Sequence, residues 1–263
     1  AGRVLEKAAG TGVEGEVRYV QGVREVRRLR QLQAPAAVRD GPWKDDGVYL
    51  ITGGAGALGL IIAAEICRQA RRATIILAGR SRLDEDRQAA VATLQGQGAS
   101  IEYRVLDVSD QAAVDACVAD IVDRCGRLDG VVHAAGIVRD SFILKKDPDD
   151  FRAVLAPKVS GTVNLDLATQ HLDLDFFILF SSLAGAVGNI GQADYASANA
   201  FLDRFALFRN ALVERGERRG ATLSINWPLW SDGGMGLPAG LIEQLRARGV
   251  RELTREQGIA ALY

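Results

Sequence analysis

Val48-Tyr49-Leu50-Ile51-Thr52-Gly53-Gly54-Ala55-Gly56-Ala57-Leu58-Gly59 is a short apolar run that ends in glycines and opens an apolar, helix-periodic stretch over 57–70. A turn this tight needs residues that accept positive φ, and glycines there let the backbone approach a pyrophosphate closely. Free N–H groups at the start of the following helix then face the phosphate charge. A glycine-rich turn of purely structural use reads from the same letters, but the placement between a clean strand and a clean helix favours a dinucleotide site. Outward from this point the pattern repeats. Apolar runs over 48–52, 74–78, 101–106, 130–133, 176–181 and 222–226 read as strands, and 57–70, 84–95, 111–125, 149–171 and 193–215 read as helices. Uninterrupted apolar strands alternating with helices predict an α/β fold, a Rossmann-like doubly wound parallel sheet covered on both faces.

The first 40 residues differ. Val17-Arg18-Tyr19-Val20 and Val23-Arg24-Glu25-Val26-Arg27-Arg28-Leu29-Arg30 alternate apolar and polar residues around Gln21-Gly22, the pattern of a hairpin with one wet face. Residues 32–46, with Pro35, Gly41 and Pro42, read as a linker. The expected division is therefore 1–40, remnant strands and linker, and 41–263, the nucleotide-binding part. Two strands are marginal without something to pack on, so Val17, Tyr19, Val23, Val26 and Leu29 are expected to bury their face against the larger part. With the uncapped pattern over 258–263, this leads to the expectation that the chain belongs to something longer.

Composition narrows the class. The chain has 263 residues, 48% of them hydrophobic, and a formal net charge of -1, so no basic field points to nucleic acid or an anionic membrane. There is no apolar run long enough for a membrane span and no signal-peptide core at Ala1-Gly2-Arg3-Val4-Leu5-Glu6. Cys67, Cys117 and Cys125 form no C-x-x-C pair and read as reduced packing residues of a cytoplasmic protein. His133 and His171 are the chain's two histidines, which leaves little for a histidine-based metal site.

Thr52, Gly53, Gly54, Gly56, Leu58 and Gly59 are the candidate phosphate-binding residues. The second strand ends in Leu77-Ala78-Gly79-Arg80-Ser81, where an NAD site would place an acid for the ribose 2′-hydroxyl. Arg80 and Ser81 offer a guanidinium and a hydroxyl instead, the partners of a 2′-phosphate, so the expected cofactor is NADPH. Asp107 and Val108, after the third strand, are placed to meet the adenine ring, although an aspartate capping the next helix reads equally from Asp107. Ala134, Ala135 and Gly136 bring small residues to the end of the fourth strand.

The chemical residues lie further on. Tyr195, in Gly191-Gln192-Ala193-Asp194-Tyr195-Ala196-Ser197-Ala198-Asn199, is followed four positions later by Asn199, where a short-chain reductase carries lysine. A lysine stands upstream instead, in Ala156-Pro157-Lys158-Val159-Ser160-Gly161-Thr162. A tyrosine with a usual pKa of roughly 10 needs a nearby cation to give up its proton near neutral pH. Lys158 is the candidate for that role and for holding the nicotinamide ribose. Ser182, in Phe180-Ser181-Ser182, is placed to hydrogen-bond a substrate carbonyl. Asn199, one turn after Tyr195, is placed to orient the lysine or a water.

These motifs, together with Gly79-Arg80-Ser81, His133-Ala134-Ala135-Gly136 and Asn226-Trp227-Pro228-Leu229-Trp230, resemble the ketoreductase domain of modular polyketide synthases, in which lysine and asparagine are exchanged in this way. The resemblance implies catalytic roles for Ser182, Tyr195, Lys158 and Asn199. It also implies a β-ketoacyl substrate, thioester-linked to the phosphopantetheine of an acyl carrier protein. Family members have a structural and a catalytic half. Residues 19–32 resemble the last strands of the structural half, so the rest of that half and neighbouring synthase domains are implied partners. Asp140, in Val138-Arg139-Asp140, matches the final residue of the family's Leu-Asp-Asp motif, and no Trp stands eight residues before Tyr195. Both signs resemble the B-type, which forms the D-configured hydroxyl. The stretch 137–142 is similar to synthases whose acyltransferase acts in trans. The reductase half of fatty acid synthases, a free-standing reductase of a soluble carbonyl and a non-catalytic nucleotide-binding module are the alternatives.

Overall fold

The protein is described by a computed structural model over residues 17–26, 41–96, 98–232, 239–247 and 251–263. The chain divides into two units, Ala1–Arg39 and Asp40–Tyr263. In the first, β1 (Val17–Val20) and β2 (Val23–Val26) pair antiparallel with Val17 opposite Val26 and Val20 opposite Val23. The connecting Gln21 and Gly22 have φ of 47° and 85°, the mirror-image turn whose twist matches that of a two-residue hairpin. The expected continuation of the second strand, with Leu29, lies outside the described residues.

In the second unit six strands form one parallel sheet in the order β5-β4-β3-β6-β7-β8. They are β3 (Val48–Thr52), β4 (Thr74–Gly79), β5 (Ser100–Val105), β6 (Gly130–His133), β7 (Phe176–Ser182) and β8 (Ala221–Trp227). Between them lie α1 (Ala57–Gln69), α2 (Glu85–Gln95), α3 (Gln111–Cys125), α4 (Pro148–Lys158), α5 (Ser160–Thr169), α6 (Leu183–Val187) and α7 (Ala193–Glu214). Two further helices, α8 (Ala239–Ala247) and α9 (Arg255–Leu262), follow β8.

The strands bury side chains on both faces, and the two-residue period sorts them into two cores. Tyr49, Ile51, Ile75, Leu77, Val132 and Ile178 pack with α1 and α2 on one side. Leu50, Ile76, Ala78, Val131, Phe177 and Leu179 pack with α3, α5 and α7 on the other. Strand order reverses between β3 and β6, where Thr52 pairs with His133. The carboxyl ends of strands at such a reversal open a crevice for a ligand.

Two local readings change, and one short helix is added. The helix expected over 149–171 is two, α4 and α5, turning at Val159 (φ -85°, ψ -67°). Pro157 supplies no N–H to the Ala153 carbonyl and crowds it, which loosens the helix at that place. Gly41 to Asp46 is not free linker, because Trp43 is buried edge-on against Tyr49 and Phe176, with ring centroids 5.4 and 5.2 Å away. The short helix α6 has too few residues to show a period. Its start is specified instead by Ser182, whose Oγ accepts from the Ala184 N–H at 3.2 Å.

Candidate active site

The glycine turn runs from the end of β3 into α1. Gly53 has φ 66°, and a Cβ there would lie 2.7 Å from the Ala134 carbonyl. A Cβ on Gly59 would lie 2.6 Å from the Gly53 carbonyl. The turn is thus pressed against Ala134 and Ala135 at the end of β6, with space only for hydrogen at these positions. Helix α1 begins at Gly56 with no side-chain cap and no acidic residue in its first turn. Its amino end keeps unpaired N–H groups and positive potential, which suits a phosphate. Thr52 is buried beside the turn, whereas Leu58 packs against the α1-side core. Arg80 is exposed at the end of β4. Its loop is tied down by Tyr103, whose hydroxyl donates to the Ser81 carbonyl at 2.6 Å. Asp107 accepts from the Ser109 N–H and hydroxyl, at 2.9 and 2.6 Å. These bonds, and more weakly the charge of Arg80, hold its pKa below the usual carboxylate value. Helix α3 is capped by Asp110, which leaves Asp107 exposed at the rim, whereas Val108 is buried in the core beneath it.

The chemical residues meet at the ends of β6 and β7. Tyr195 stands in the first turn of α7 and Ser182 is the last residue of β7. Burial pushes the Tyr195 phenol above its usual pKa. The nearby Ser182 hydroxyl and Asn199 amide pull it the other way, and the Asp140 carboxylate adds to the rise. Asn199 is fully buried. Its Nδ2 donates to the Tyr195 carbonyl at 2.7 Å, and its Oδ1 is buried without a hydrogen-bond partner. Lys158 is buried at the end of α4, its Nζ donating to the Phe180 carbonyl at 2.8 Å. Burial lowers its pKa to about 8, against the opposing charge of Asp203. A Cβ on Gly136 would meet Lys158 Cε at 2.9 Å, so glycine there leaves the lysine its place. Burial dominates the direction of the Tyr195 shift, and in this arrangement the Lys158 ammonium donates to the Phe180 carbonyl rather than to the phenol.

The family profile of the KR domain matches residues 47–232. The chain belongs to the KR domain family. This ketoreductase domain is 47% identical over 264 residues to polyketide synthase PksN of Bacillus subtilis (strain 168), covering 100% of this chain and 5% of that protein. It is 48% identical over 221 residues to polyketide synthase ThaG of Burkholderia thailandensis, covering 84% of this chain and 4% of that one. It thus spans about a twentieth of these curated relatives. The crystal structure of a ketoreductase domain from the bacillaene assembly line is similar at TM-score 0.93 and 43% identity, over 99% of this chain and 62% of that one.

The ketoreductase fold also engages residues that sequence reasoning passed over. His133 is fully buried and uncharged, its pKa pushed down to about 3 by desolvation and the charge of Lys158. Its Nε2 faces the Pro157 carbonyl at 2.9 Å, which only accepts, so Nδ1 accepts from Thr52 Oγ1 at 2.6 Å. This link fixes the backbone beside Lys158 to the glycine turn. Asn226 donates to Ser181 Oγ, the Ser182 carbonyl and the Asp203 carboxylate, bracing the strand end that carries Ser182. Asn164 donates to the Val108 carbonyl at 2.9 Å. A polar residue inside an apolar run was the available signal for Asn164. Nothing in sequence spacing pairs Thr52 with His133. Among the described residues no helix is long and apolar enough to cross a membrane.

Proposed function

We propose that the chain reduces a β-ketoacyl thioester, carried on the phosphopantetheine arm of an acyl carrier protein, to the β-hydroxyacyl thioester, with NADPH as reductant. The observation that carries this reading is the placement of Tyr195, Ser182 and Asn199 with buried Lys158 at the strand ends beside a glycine cradle that any Cβ would fill. That cradle and the open amino end of α1 fit the pyrophosphate. Arg80 and Ser81 fit the 2′-phosphate, Asp107 and Val108 the adenine, and Ala134, Ala135 and Gly136 leave space across the strand edge. Held there, NADPH would supply the hydride for the ketone carbon.

The protein's own residues handle the oxygen. Ser182 hydrogen-bonds the ketone oxygen and holds it as negative charge develops. Tyr195, neutral because burial raises its pKa, delivers the proton that completes the hydroxyl. Lys158 in its charged form stabilises the phenolate left behind and holds the ribose hydroxyls. The open Oδ1 of Asn199 orients that ammonium or the water that returns the proton. Asp140, close enough to act on the Tyr195 phenol, guides the substrate so that the hydroxyl forms in the D configuration. Residues 1–40 are read as part of a structural half, with neighbouring synthase domains as further partners.

A short β-ketoacyl thioester tests the proposal. NADPH consumption is expected with the parent protein and a loss of ~10²–10⁴-fold in Tyr195→Phe, with NADPH binding kept. Near-normal turnover by Tyr195→Phe refutes the assigned proton donor. Chiral chromatography checks the configuration, and a mainly L-configured alcohol refutes the B-type assignment.

A further inference from the structure

The loop after β6 carries Asp140, and the apolar side chains that follow Asp140 do not hold it in place. Phe142, Ile143 and Leu144 are 65%, 62% and 96% exposed. Loops without apolar anchors are positioned by polar contacts or not at all. Three such contacts lie on the surface: the Arg139 guanidinium lies 3.6 Å from the exposed Asp150 carboxylate, and hydrogen bonds reach Gly191 and Gln192. Gln192 Nε2 donates to both Asp140 oxygens at 3.0 Å, and the Ser141 N–H donates to the Gly191 carbonyl at 2.9 Å. The fourth contact is different. The 3-10 turn Ile143–Lys145 is followed by Lys146, whose side chain is 3% exposed and lies 2.8 Å from the fully buried carboxylate of Asp194. The same ammonium donates to the Arg139 carbonyl, next to Asp140. The other carboxylate oxygen of Asp194 accepts the N–H of Tyr195 at 2.9 Å.

We propose that the Lys146–Asp194 ion pair is the positioning device that decides the stereochemical outcome, by locking the Asp140 loop to the helix turn that presents Tyr195. One ammonium and one carboxylate join the backbone beside the guiding residue to the backbone of the proton donor. An exposed hydrogen bond exchanges readily with water and leaves a loop several positions. A buried pair separates only by stranding a charge away from water, so it holds one arrangement. With the loop fixed against α7, the space beside Tyr195 admits the ketone in one orientation. Lys146 touches neither substrate nor reacting atoms and is a positioning residue. The inference rests on the proposed ketone reduction and deepens it.

The test uses the whole chain as Lys146→Met and as the double variant Lys146→Met with Asp194→Asn, which leaves no unpaired buried charge and guards against misfolding. Amide hydrogen exchange over 139–146 and the enantiomer ratio of the 3-hydroxy product from a short β-ketoacyl thioester are measured. Exchange over the loop is expected to quicken, and the enantiomer ratio to fall by about tenfold, with the KM for NADPH unchanged. Unaltered loop exchange overturns the lock. Faster exchange with an unaltered ratio overturns its stereochemical role, as does a fall in turnover and melting temperature at constant ratio, the mark of a merely structural pair. Asp140→Ala separates the layers. If it shifts the ratio and the lysine variants do not, the lock is wrong and the guiding role of Asp140 stands. If the parent reduces no ketothioester, the proposed function fails and the stereochemical role falls with it.

Discussion

At the scale of one residue, burial sets the pH window in which Lys158 carries its charge. Its pKa falls from the usual 10.5 to about 8 because desolvation disfavours the ammonium. The charged form therefore prevails below pH 8 and is lost above it. If that charge supports phenolate formation at Tyr195, kcat/KM declines as pH rises through about 8, which a pH–rate profile of the free enzyme reads directly. Stability moves the opposite way. Between about 8 and 10.5 the unfolded chain binds the proton that the folded chain has released, so this group makes stability rise with pH across that window. Falling activity with this group's contribution to stability rising, compared between the parent and Lys158→Met by denaturant titration, is the expected signature. An alkaline limb that is unchanged in position by removing the lysine charge refutes the assignment. Sequence spacing singled out Lys158 and Tyr195. The direction of the tyrosine shift was not legible there, because it depends on how much water the fold removes.

At the scale of elements, the close approach of α6 to α7 is the feature that a small change breaks. A Cβ on Gly185 would lie 2.8 Å from Asn199 Cβ and 2.9 Å from the Ala200 nitrogen. These are mainly backbone atoms of the helix that carries Tyr195, so the strain cannot relax through a flexible side chain. Gly185→Ala is expected to cost about 1–3 kcal/mol of stability by overpacking. Displacing α7 by a fraction of an ångström or more is expected to reduce turnover, since misplacement of about 1 Å can cost ~10²-fold. A melting curve and a turnover measurement check both, and unchanged turnover with an intact fold would show that α7 tolerates the shift. Strand and helix order were legible from period and length. The division of 149–171 was not, because Pro157 is tolerated within one helical run and marks only a weak point. The burial of Trp43 was hidden among linker residues for a similar reason: its partners, Tyr49 and Phe176, come from two separate strands.

At the scale of the whole molecule, a cofactor that binds the folded state stabilises it by mass action, by about 2.7 kcal/mol at a hundredfold excess over Kd. NADPH is therefore expected to raise the melting temperature more than NADH at equal concentration. Arg80→Ala is expected to abolish the difference, with loss of roughly 1.5–3 kcal/mol of charge-assisted phosphate binding. Equal shifts by both nucleotides in the parent protein refute the NADPH preference. The measurement reads the glycine cradle, Arg80 and the Asp107 rim together, and these come from the ends of three strands that the sheet order brings side by side.

The sequence by itself determined the alternating α/β architecture and the glycine turn after β3, and it pointed to Ser182, Tyr195, Lys158 and Asn199 as the proposed catalytic set. The first two follow from local rules, side-chain period and backbone freedom at glycine; the set follows from residue chemistry together with the resemblance to ketoreductase domains. The tertiary structure alone decided the contacts between residues far apart in the chain. It placed Thr52 on His133, His133 on the Pro157 carbonyl, Asn226 on the Ser182 carbonyl and Lys146 on Asp194. The strength of such contacts depends on burial. A lysine is an ordinary surface charge in the sequence, and it becomes a lock or a tuned cation only when folding takes the water away from it.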